Sequence, residues 1–471
     1  QPRTHHTDSF DLHVLYSAAS HEHSGHILRS HHRGGTYPVR VTSLAKLPRP
    51  AASRLAVRVT PDALRQIRGG HPWVYETSIE SVKSGAQSAA QGGAQSGATG
   101  KPGDLAVVFD ADRSFAAIGL LDPASPIRIK IIHEGKPATI DRAFWVAHIT
   151  AALARRQPLI DQSLADPERA TTGYRCINGE NDGFPSLVLD RYDRTLVLKL
   201  SSTIWVPHLA DLVPAIAEVF RPDTLVLRLA RNIDHDGLFG LEEGDALIGV
   251  SPADPVLFQE NGLTFEADVV HGQKTGHFLD QRDNRWFVRR ITEGCRVLDM
   301  YASTGGFSVN AAAGGAHEVV AVDLSEPTLA VASRNMQHNA HVPAVAACTF
   351  RPMKADALEA MNRLIRSGDK FDVVIIDPPS FTPRQASVQR ALTAYALLTT
   401  KGVKLVRPGG VLVQASCSSR VTADEFHTTI SHAAAQAGRP LEEFRRTRHP
   451  IDHPVDFPQG HYLKAVFAHV P

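Results

Sequence analysis

Apolar positions change their spacing along the chain, and each change marks a new kind of structure. Residues 1–50 show little apolar periodicity and are rich in His, Ser and Arg, so a disordered tail is expected there. From Leu55 the text alternates. Residues 55–59, 105–109, 115–121 and 127–132 read as strands separated by Asp, Gly and Pro turns. A short helix is predicted over 61–68, and a turn into a strand over 69–75. Residues 84–100 interrupt this pattern with almost nothing but Gly, Ala, Ser and Gln, which predicts a flexible surface loop.

A helical period follows over 142–156, with Phe144, Trp145, Ile149, Ala152 and Leu153 on the apolar side. Strands are predicted over 174–178, 186–190, 195–200 and 224–229, with a helix over 206–220. Residues 256–260 and 263–268 flank Asn261-Gly262, a hairpin signal because Asn-Gly supplies the positive φ angles of a tight primed turn. From about Gly272, helix and strand alternate. Helices are predicted over 283–291, 307–313, 327–339, 391–405 and 423–437, and strands over 296–300, 318–323, 373–377, 410–415 and 462–470. Repeated β-α units imply a mostly parallel sheet with helices on both faces, so the fold class is α/β. Ligands of such sheets sit beyond the carboxyl ends of the strands.

Composition narrows the function. A chain of 471 residues is expected to hold two to three domains. Hydrophobic residues at 43% and charged residues at 21% are ordinary for a soluble globular protein. There is no run of about 18 apolar residues and no secretory pattern, so no membrane span or leader is expected. Cys176, Cys295, Cys348 and Cys417 are scattered, which argues against a zinc ribbon or a disulfide framework and fits a reducing cytoplasm. The histidines of the N-terminal tail match no metal-site spacing, and no metal is expected. Net charge is only +1, so an RNA surface has to be local. Arg439, Arg445, Arg446, Arg448 and His449 form one basic cluster, and Arg384 and Arg390 follow the Asp377-Pro-Pro turn. Such charges are more often a solvated face than phosphate contacts.

Four stretches carry candidate chemistry. Asp299, Gly305 and Gly306 end the first strand of the last domain, and Asp323 ends the second. Adjacent glycines after Ala-Ser-Thr are not a dinucleotide fingerprint. A carboxylate in the position of Asp323 accepts hydrogen bonds from ribose hydroxyls, although such an Asp is commonly only a helix cap. The ordered set points to S-adenosylmethionine in a class I methyltransferase. Asp377-Pro378-Pro379 follows a later strand, where prolines fix a rigid turn and a polar side chain can hold a base edge; the plain alternative is a tight turn alone. Cys417 follows the next strand. A thiolate adding to carbon 6 of a pyrimidine makes carbon 5 nucleophilic enough to take a methyl group. Most cysteines are only small buried hydrophobes, a reading that suits Cys295 and Cys348 better. Phe278, Asp280, Gln281 and Arg282 open an amphipathic helix and are candidates for the methionine end of the cofactor; Asp356 completes the candidate cofactor set.

These motifs resemble the RlmI-like family of bacterial large-subunit rRNA methyltransferases, which form 5-methylcytosine in 23S rRNA. The matching text is His71-Pro-Trp-Val74, Asn181-Asp-Gly-Phe-Pro185, Thr275-Gly-His-Phe-Leu-Asp-Gln-Arg282, Ser303-Thr-Gly-Gly-Phe307, Asp377-Pro-Pro-Ser380, Ser416-Cys-Ser418, Asp452-His-Pro-Val455 and Tyr462-Leu-Lys464. The resemblance covers about residues 54–471. It implies a PUA-like, mostly-β RNA-binding domain over 54–134, a small central α+β domain over 141–258, and a Rossmann-like class I methyltransferase domain over 259–471. It also implies S-adenosyl-L-methionine on Gly305, Gly306 and Asp323, Asp377 by the target base, Cys417 as nucleophile and large-subunit rRNA as partner. A homodimer is left open. The chain departs from the family in Ser380, where a Lys is frequent, and in lacking the second Cys after the prolines found in other 5-methylcytosine RNA enzymes. Two alternatives stand beside this reading: N-methylation of a nucleobase amino group by Asp377 without Cys417, and a non-catalytic RNA-binding or assembly factor.

Overall fold

The computed structural model describes residues 44–84, 100–381 and 388–471. The expected tail up to residue 43, the loop over 85–99 and Arg384 lie outside the described residues. Three large sheets and one two-stranded hairpin organise the described residues.

The N-terminal sheet has six strands: β1 (Leu55–Val59), β2 (Trp73–Tyr75), β3 (Ile79–Ser84), β4 (Leu105–Phe109), β5 (Phe115–Leu121) and β6 (Ile127–Glu134). Their order is β2-β6-β5-β4-β1-β3. The helix α1 (Pro61–Arg68) starts where predicted, because Thr60 Oγ1 accepts the Ala63 N–H and Pro61 fills the first turn.

The central unit places α2 (Arg142–Ala154), α3 (Gln157–Ala165) and α4 (Leu209–Phe220) with β7 (Gly173–Asn178), β8 (Leu187–Tyr192), β9 (Thr195–Leu200), β10 (Thr224–Leu229) and β11 (Ala246–Ile248). Strand order is β11-β10-β9-β8-β7. The helix expected over 142–156 stops at Ala154 and resumes as α3, with Pro158 in its first turn. Leu105, Ile118, Leu120 and Ile132 of the first sheet share one core cluster with Trp145, Phe184 and Trp205. Among the described residues one helical stretch, Thr203–Phe220, has the length and mean hydropathy of a membrane span; two thirds of it is buried in this core.

The hairpin β12 (Val256–Glu260) and β13 (Leu263–Ala267) turns as predicted, with φ of 51° at Asn261 and 71° at Gly262. It leads into α5 (Arg282–Arg289), β14 (Arg296–Met300), α6 (Gly306–Ala313), β15 (Glu318–Asp323), α7 (Glu326–His338), α8 (Pro343–Ala347), β16 (Thr349–Lys354), α9 (Ala357–Arg366), β17 (Phe371–Ile376), α10 (Val388–Leu405), β18 (Val406–Ser416), α11 (Ala423–Gln436), β19 (Glu442–Thr447) and β20 (Lys464–Val470). The strands order as β16-β15-β14-β17-β18-β20-β19. The first five are parallel, and β20 runs antiparallel to β18 and β19. Alternate residues face two cores: Leu298, Val320 and Val374 one way, Val297, Val319 and Val373 the other. That is why these strands read as continuous apolar runs. Strand order reverses between β14 and β17, the switch point where open α/β sheets bind ligands.

Candidate active site at the switch point of the C-terminal sheet

The turn after β14 is wound tightly. Tyr301 and Ser303 hold φ of 63° and 49°, and Gly305 holds 78°. Non-glycine residues in this region store strain, which is found where function fixes a loop. A Cβ on Gly305 would lie 2.7 Å from the Ala332 Cβ of α7, and one on Gly306 would lie 2.8 Å from the Arg285 Cδ of α5. The close approach these two glycines allow here is therefore helix to helix. Asp299 is fully buried beneath the turn. Its Oδ2 accepts the Ser308 hydroxyl at 2.6 Å, while Oδ1 has no partner. Burial, with Asp377 and Asp323 nearby, pushes its carboxyl up to about 7.

Asp323 is half-buried at the end of β15 and accepts the Ser303 and Ser325 N–H groups, each at 2.9 Å. It braces the turn and leaves lone pairs for a further donor. Asp356 is exposed and caps α9 by accepting the Leu358 and Glu359 N–H groups.

Residues 278–282 close the opposite side. Phe278 lies under the Lys274 ammonium, 4.1 Å from ring centroid to Nζ. Asp280 is 5% exposed, and its Oδ2 accepts Lys274 Nζ at 3.2 Å and the Tyr462 hydroxyl at 3.0 Å. Burial pushes this carboxyl up, but Lys274, His453 and Arg175 outweigh it and hold Asp280 well below the usual carboxylate range. Its Oδ1 has no partner. Buried Gln281 accepts Asn284 Nδ2 at 2.6 Å and hydrogen-bonds Asp377; Thr447 in turn fixes Asn284 at 2.6 Å. Arg282 is 1% exposed and pairs with Asp452 at 2.9 Å, leaving Nη1 without a partner.

Asp377 follows β17, and its N–H donates to the Met300 carbonyl. Burial first, then Asp280, pushes its carboxyl up to about 7. Cys417 follows β18, the neighbouring parallel strand, with Sγ 3.8 Å from the Pro378 carbonyl oxygen. The fold thus brings Asp377 and Cys417 to adjacent strand ends. Burial, then Asp377, pushes the Cys417 thiol up to about 11, so it is protonated at neutral pH here. Around it the Tyr395 hydroxyl lies 2.8 Å from Ser416 Oγ, and Ser380 Oγ lies 3.1 Å from Ser418 Oγ. Lys464 pairs across the sheet with Ser416 and donates to the carbonyls of Ser418, Val421 and Tyr462.

Sequence reasoning gave no role to Lys274, Asp452, Tyr462 or Lys464. Lys464 showed in the sequence as a lysine inside an apolar strand and as the end of the Tyr462-Leu-Lys464 motif. Asp452 is fully buried; beyond Arg282, it accepts the Arg175 N–H at 3.0 Å, and Arg156 donates to its carbonyl at 2.8 Å. Arg175 grips Asp190 with two hydrogen bonds, and Thr275 donates to the same carboxylate at 2.6 Å. The central sheet therefore holds the 275–282 segment in place.

The basic cluster at 439–449 is not one surface. Arg439 donates to the carbonyls of Val403, Val406, Val470 and Pro471, Arg446 pairs with Glu443, and Arg445 stacks on Phe287. Arg448 has no hydrogen-bond or ion-pair partner among the described residues. Trp73, in the segment expected to serve RNA, packs on Phe457 and donates to Glu180. The four cysteines are free, and no cluster of metal-binding side chains occurs among the described residues.

A family model for S-adenosylmethionine-dependent methyltransferases matches residues 246–467, and one for PUA-like domains matches residues 57–134. A ribosomal RNA large subunit methyltransferase of Deinococcus radiodurans is 43% identical over 421 residues, covering 89% of this chain and 98% of that one. This chain belongs to the ribosomal RNA large subunit methyltransferase family. Ribosomal RNA large subunit methyltransferase I of Shewanella amazonensis is 32% identical over 88% of this chain and 99% of its own length. Among solved structures, an S-adenosylmethionine-dependent methyltransferase from Streptococcus mutans superposes with a TM-score of 0.71 over 88% of this chain and 100% of that one. A methyltransferase complexed with S-adenosylhomocysteine gives 0.72 over the same shares. Both are 19% identical and show the shared fold. The methyltransferase therefore uses S-adenosylmethionine. The unpartnered Asp280 Oδ1 and Arg282 Nη1 are the kinds of group that an amino-acid ammonium and carboxylate need, so this donor and acceptor set fits the cofactor.

Proposed function

We propose that this methyltransferase acts in the cytoplasm on 23S rRNA and methylates carbon 5 of a cytosine through a covalent adduct on Cys417. The observation that carries the reading is the pairing of Asp377 and Cys417 at neighbouring strand ends, with Sγ 3.8 Å from the Pro378 carbonyl. S-adenosylmethionine supplies a methyl group on a sulfonium. In this reading Asp280 and Arg282 take its methionine end, Asp323 its ribose, and the Asp299 to Gly306 turn with Phe278 and Asp356 forms the remaining walls.

The Cys417 thiolate adds to carbon 6 of a flipped cytosine, and the electron pair of the 5,6 double bond moves to carbon 5. Asp377, near half-protonated at pH 7, donates to the ring nitrogen that gains electron density. Carbon 5 then bonds the methyl carbon, whose former bonding pair stays on sulfur. The Asp377 carboxylate left by that donation takes the carbon 5 proton, the freed pair restores the 5,6 double bond and expels Cys417 as thiolate, and the ring nitrogen releases its proton to water. Asp377 has to give up its charge before the neighbouring thiol can ionise easily, because the Asp377 carboxylate raises the thiol. The chain Thr447, Asn284, Gln281 holds Asp377 for this task.

The test uses labelled S-adenosylmethionine and 23S rRNA, digestion to nucleosides and mass spectrometry. Wild type is expected to yield 5-methylcytidine, and Cys417→Ser to yield none while still binding the cofactor. Retained activity in Cys417→Ser sinks the adduct mechanism and leaves methylation of an amino nitrogen.

A further inference from the structure

A cleft of about 480 Å³ opens between residues 448–461 and Arg155 of the central unit, on the far side of Tyr462 from Asp280. We propose that this cleft holds the nucleotide of the RNA strand that flanks the target base. The inference rests on the reading of RNA as substrate.

The lining suits a nucleotide in three ways. First, none of the lining residues carries a carboxylate. The neighbouring acids are spoken for: Asp456 is tied to Arg155 at 2.8 and 3.0 Å, Asp182 to Arg155 and Arg156, and Asp452 is buried against Arg282. Second, the cleft offers donors. Arg448 is exposed and without an intramolecular partner among the described residues. His449 Nε2 accepts the Leu463 and Tyr462 N–H groups at 3.0 and 3.3 Å, so the neutral ring carries its proton on Nδ1. No acceptor holds that Nδ1 among the described residues. Exposed His461 stands 6.1 Å from His449, ring to ring. Third, Pro450, Ile451 and Pro454 give an apolar floor, with Ile451 46% exposed. A nucleobase needs an apolar face to stack on, and a phosphate needs unpaired donors beside it.

Position decides which nucleotide. The His449 ring meets Tyr462 edge-on at 4.5 Å, and the Tyr462 hydroxyl donates to Asp280. One aromatic wall therefore separates the cleft from Asp280, whose charge in turn reaches Asp377 at the target-base end of the site. A strand that flips one base past Asp377 runs its next phosphate along Arg448. Contacts of this kind are sequence-tolerant and read the backbone of a single strand.

The test measures binding of a fluorescein-labelled, mixed-sequence, single-stranded oligoribonucleotide to the full chain by anisotropy over a salt series. Arg448→Glu is compared with wild type and with Arg366→Glu, an exposed charge reversal on α9 away from the cleft. Arg448→Glu is expected to bind about tenfold more weakly and to lower the salt slope by roughly 0.7, one single-strand phosphate contact. Arg366→Glu is expected to match wild type, and calorimetry is expected to give all three proteins the same cofactor affinity. Ile451→Asp provides a second probe through the floor and is expected to weaken RNA without changing the cofactor. Equal affinity and slope in Arg448→Glu and wild type overturn the proposal, as does an equal loss in Arg366→Glu. A wild-type product other than 5-methylcytidine overturns the Cys417 mechanism instead, and leaves this comparison intact.

Discussion

Replacing Asp299 with asparagine should stabilise the ligand-free protein, and more so as pH rises. Asp299 is fully buried, is hydrogen-bonded only by Ser308 among the described residues, and leaves Oδ1 without a side-chain partner. Burial lifts its carboxyl from 3.8 to about 7. At ~1.4 kcal/mol per pKa unit, ionising it inside the fold costs about 4 kcal/mol. The sign follows from proton counting. Between pH 3.8 and about 7 the folded chain holds a proton that the unfolded chain has lost, so stability falls with pH across that window and levels off above it. Asparagine keeps an acceptor for Ser308 and never ionises. From pH 5.5 to 8.5 the advantage of Asp299→Asn should therefore grow by about 2 kcal/mol. For a domain of this size that is a widening of roughly 4–8 °C in melting temperature. The assay is thermal melting of both proteins, followed by tryptophan fluorescence at each pH. A difference that stays constant with pH, or turns against Asp299→Asn at pH 8.5, would show that the carboxylate is charged and well partnered, and the reasoning fails.

Two further outcomes follow from the packing. Asp452→Ala strands the buried Arg282 guanidinium and should cost about 3–5 kcal/mol; a lowered melting temperature that Arg282→Met partly restores in the double variant checks the cause. Gly305→Ala forces a Cβ to 2.7 Å from Ala332 at φ 78°. It should cost about 1–3 kcal/mol and weaken S-adenosylmethionine measurably by calorimetry, and unchanged cofactor affinity would detach the turn from the cofactor.

The sheet was legible where strands are buried on both sides. β14, β15 and β17 read as unbroken apolar runs because helices cover both faces. The two exposed edges were not. β16 reads Thr-Phe-Arg-Pro-Met-Lys and β19 reads Glu-Glu-Phe-Arg-Arg-Thr, mostly exposed, with no apolar alternation. Edge strands carry such residues because only one side is paired. At the site, Asp377 and Cys417 announce themselves as a polar residue and a thiol just past buried strands. Tyr462 does not, because it meets Asp280 from 182 residues away. Asp452 reaches the Arg175 backbone across 277 residues. Contacts of that range leave no local pattern to read. Arg439 and Arg446 looked like surface charge because sequence cannot show that carbonyls and Glu443 already occupy them.

The way the central sheet grips the 275–282 segment bears on modularity. Arg175, Asp190 and Arg156 lie within 141–258, yet their partners Thr275 and Asp452 lie beyond residue 259. The first sheet is joined to the second through a shared core in the same way. Recombination that swapped the methyltransferase segment alone would deliver a sheet whose 275–282 edge had lost its buried counter-charges. The heritable unit is thus longer than any of its parts. A graft from a relative works best when all three sheets travel together, because the first shares its core with the second and the second holds the buried charges of the third.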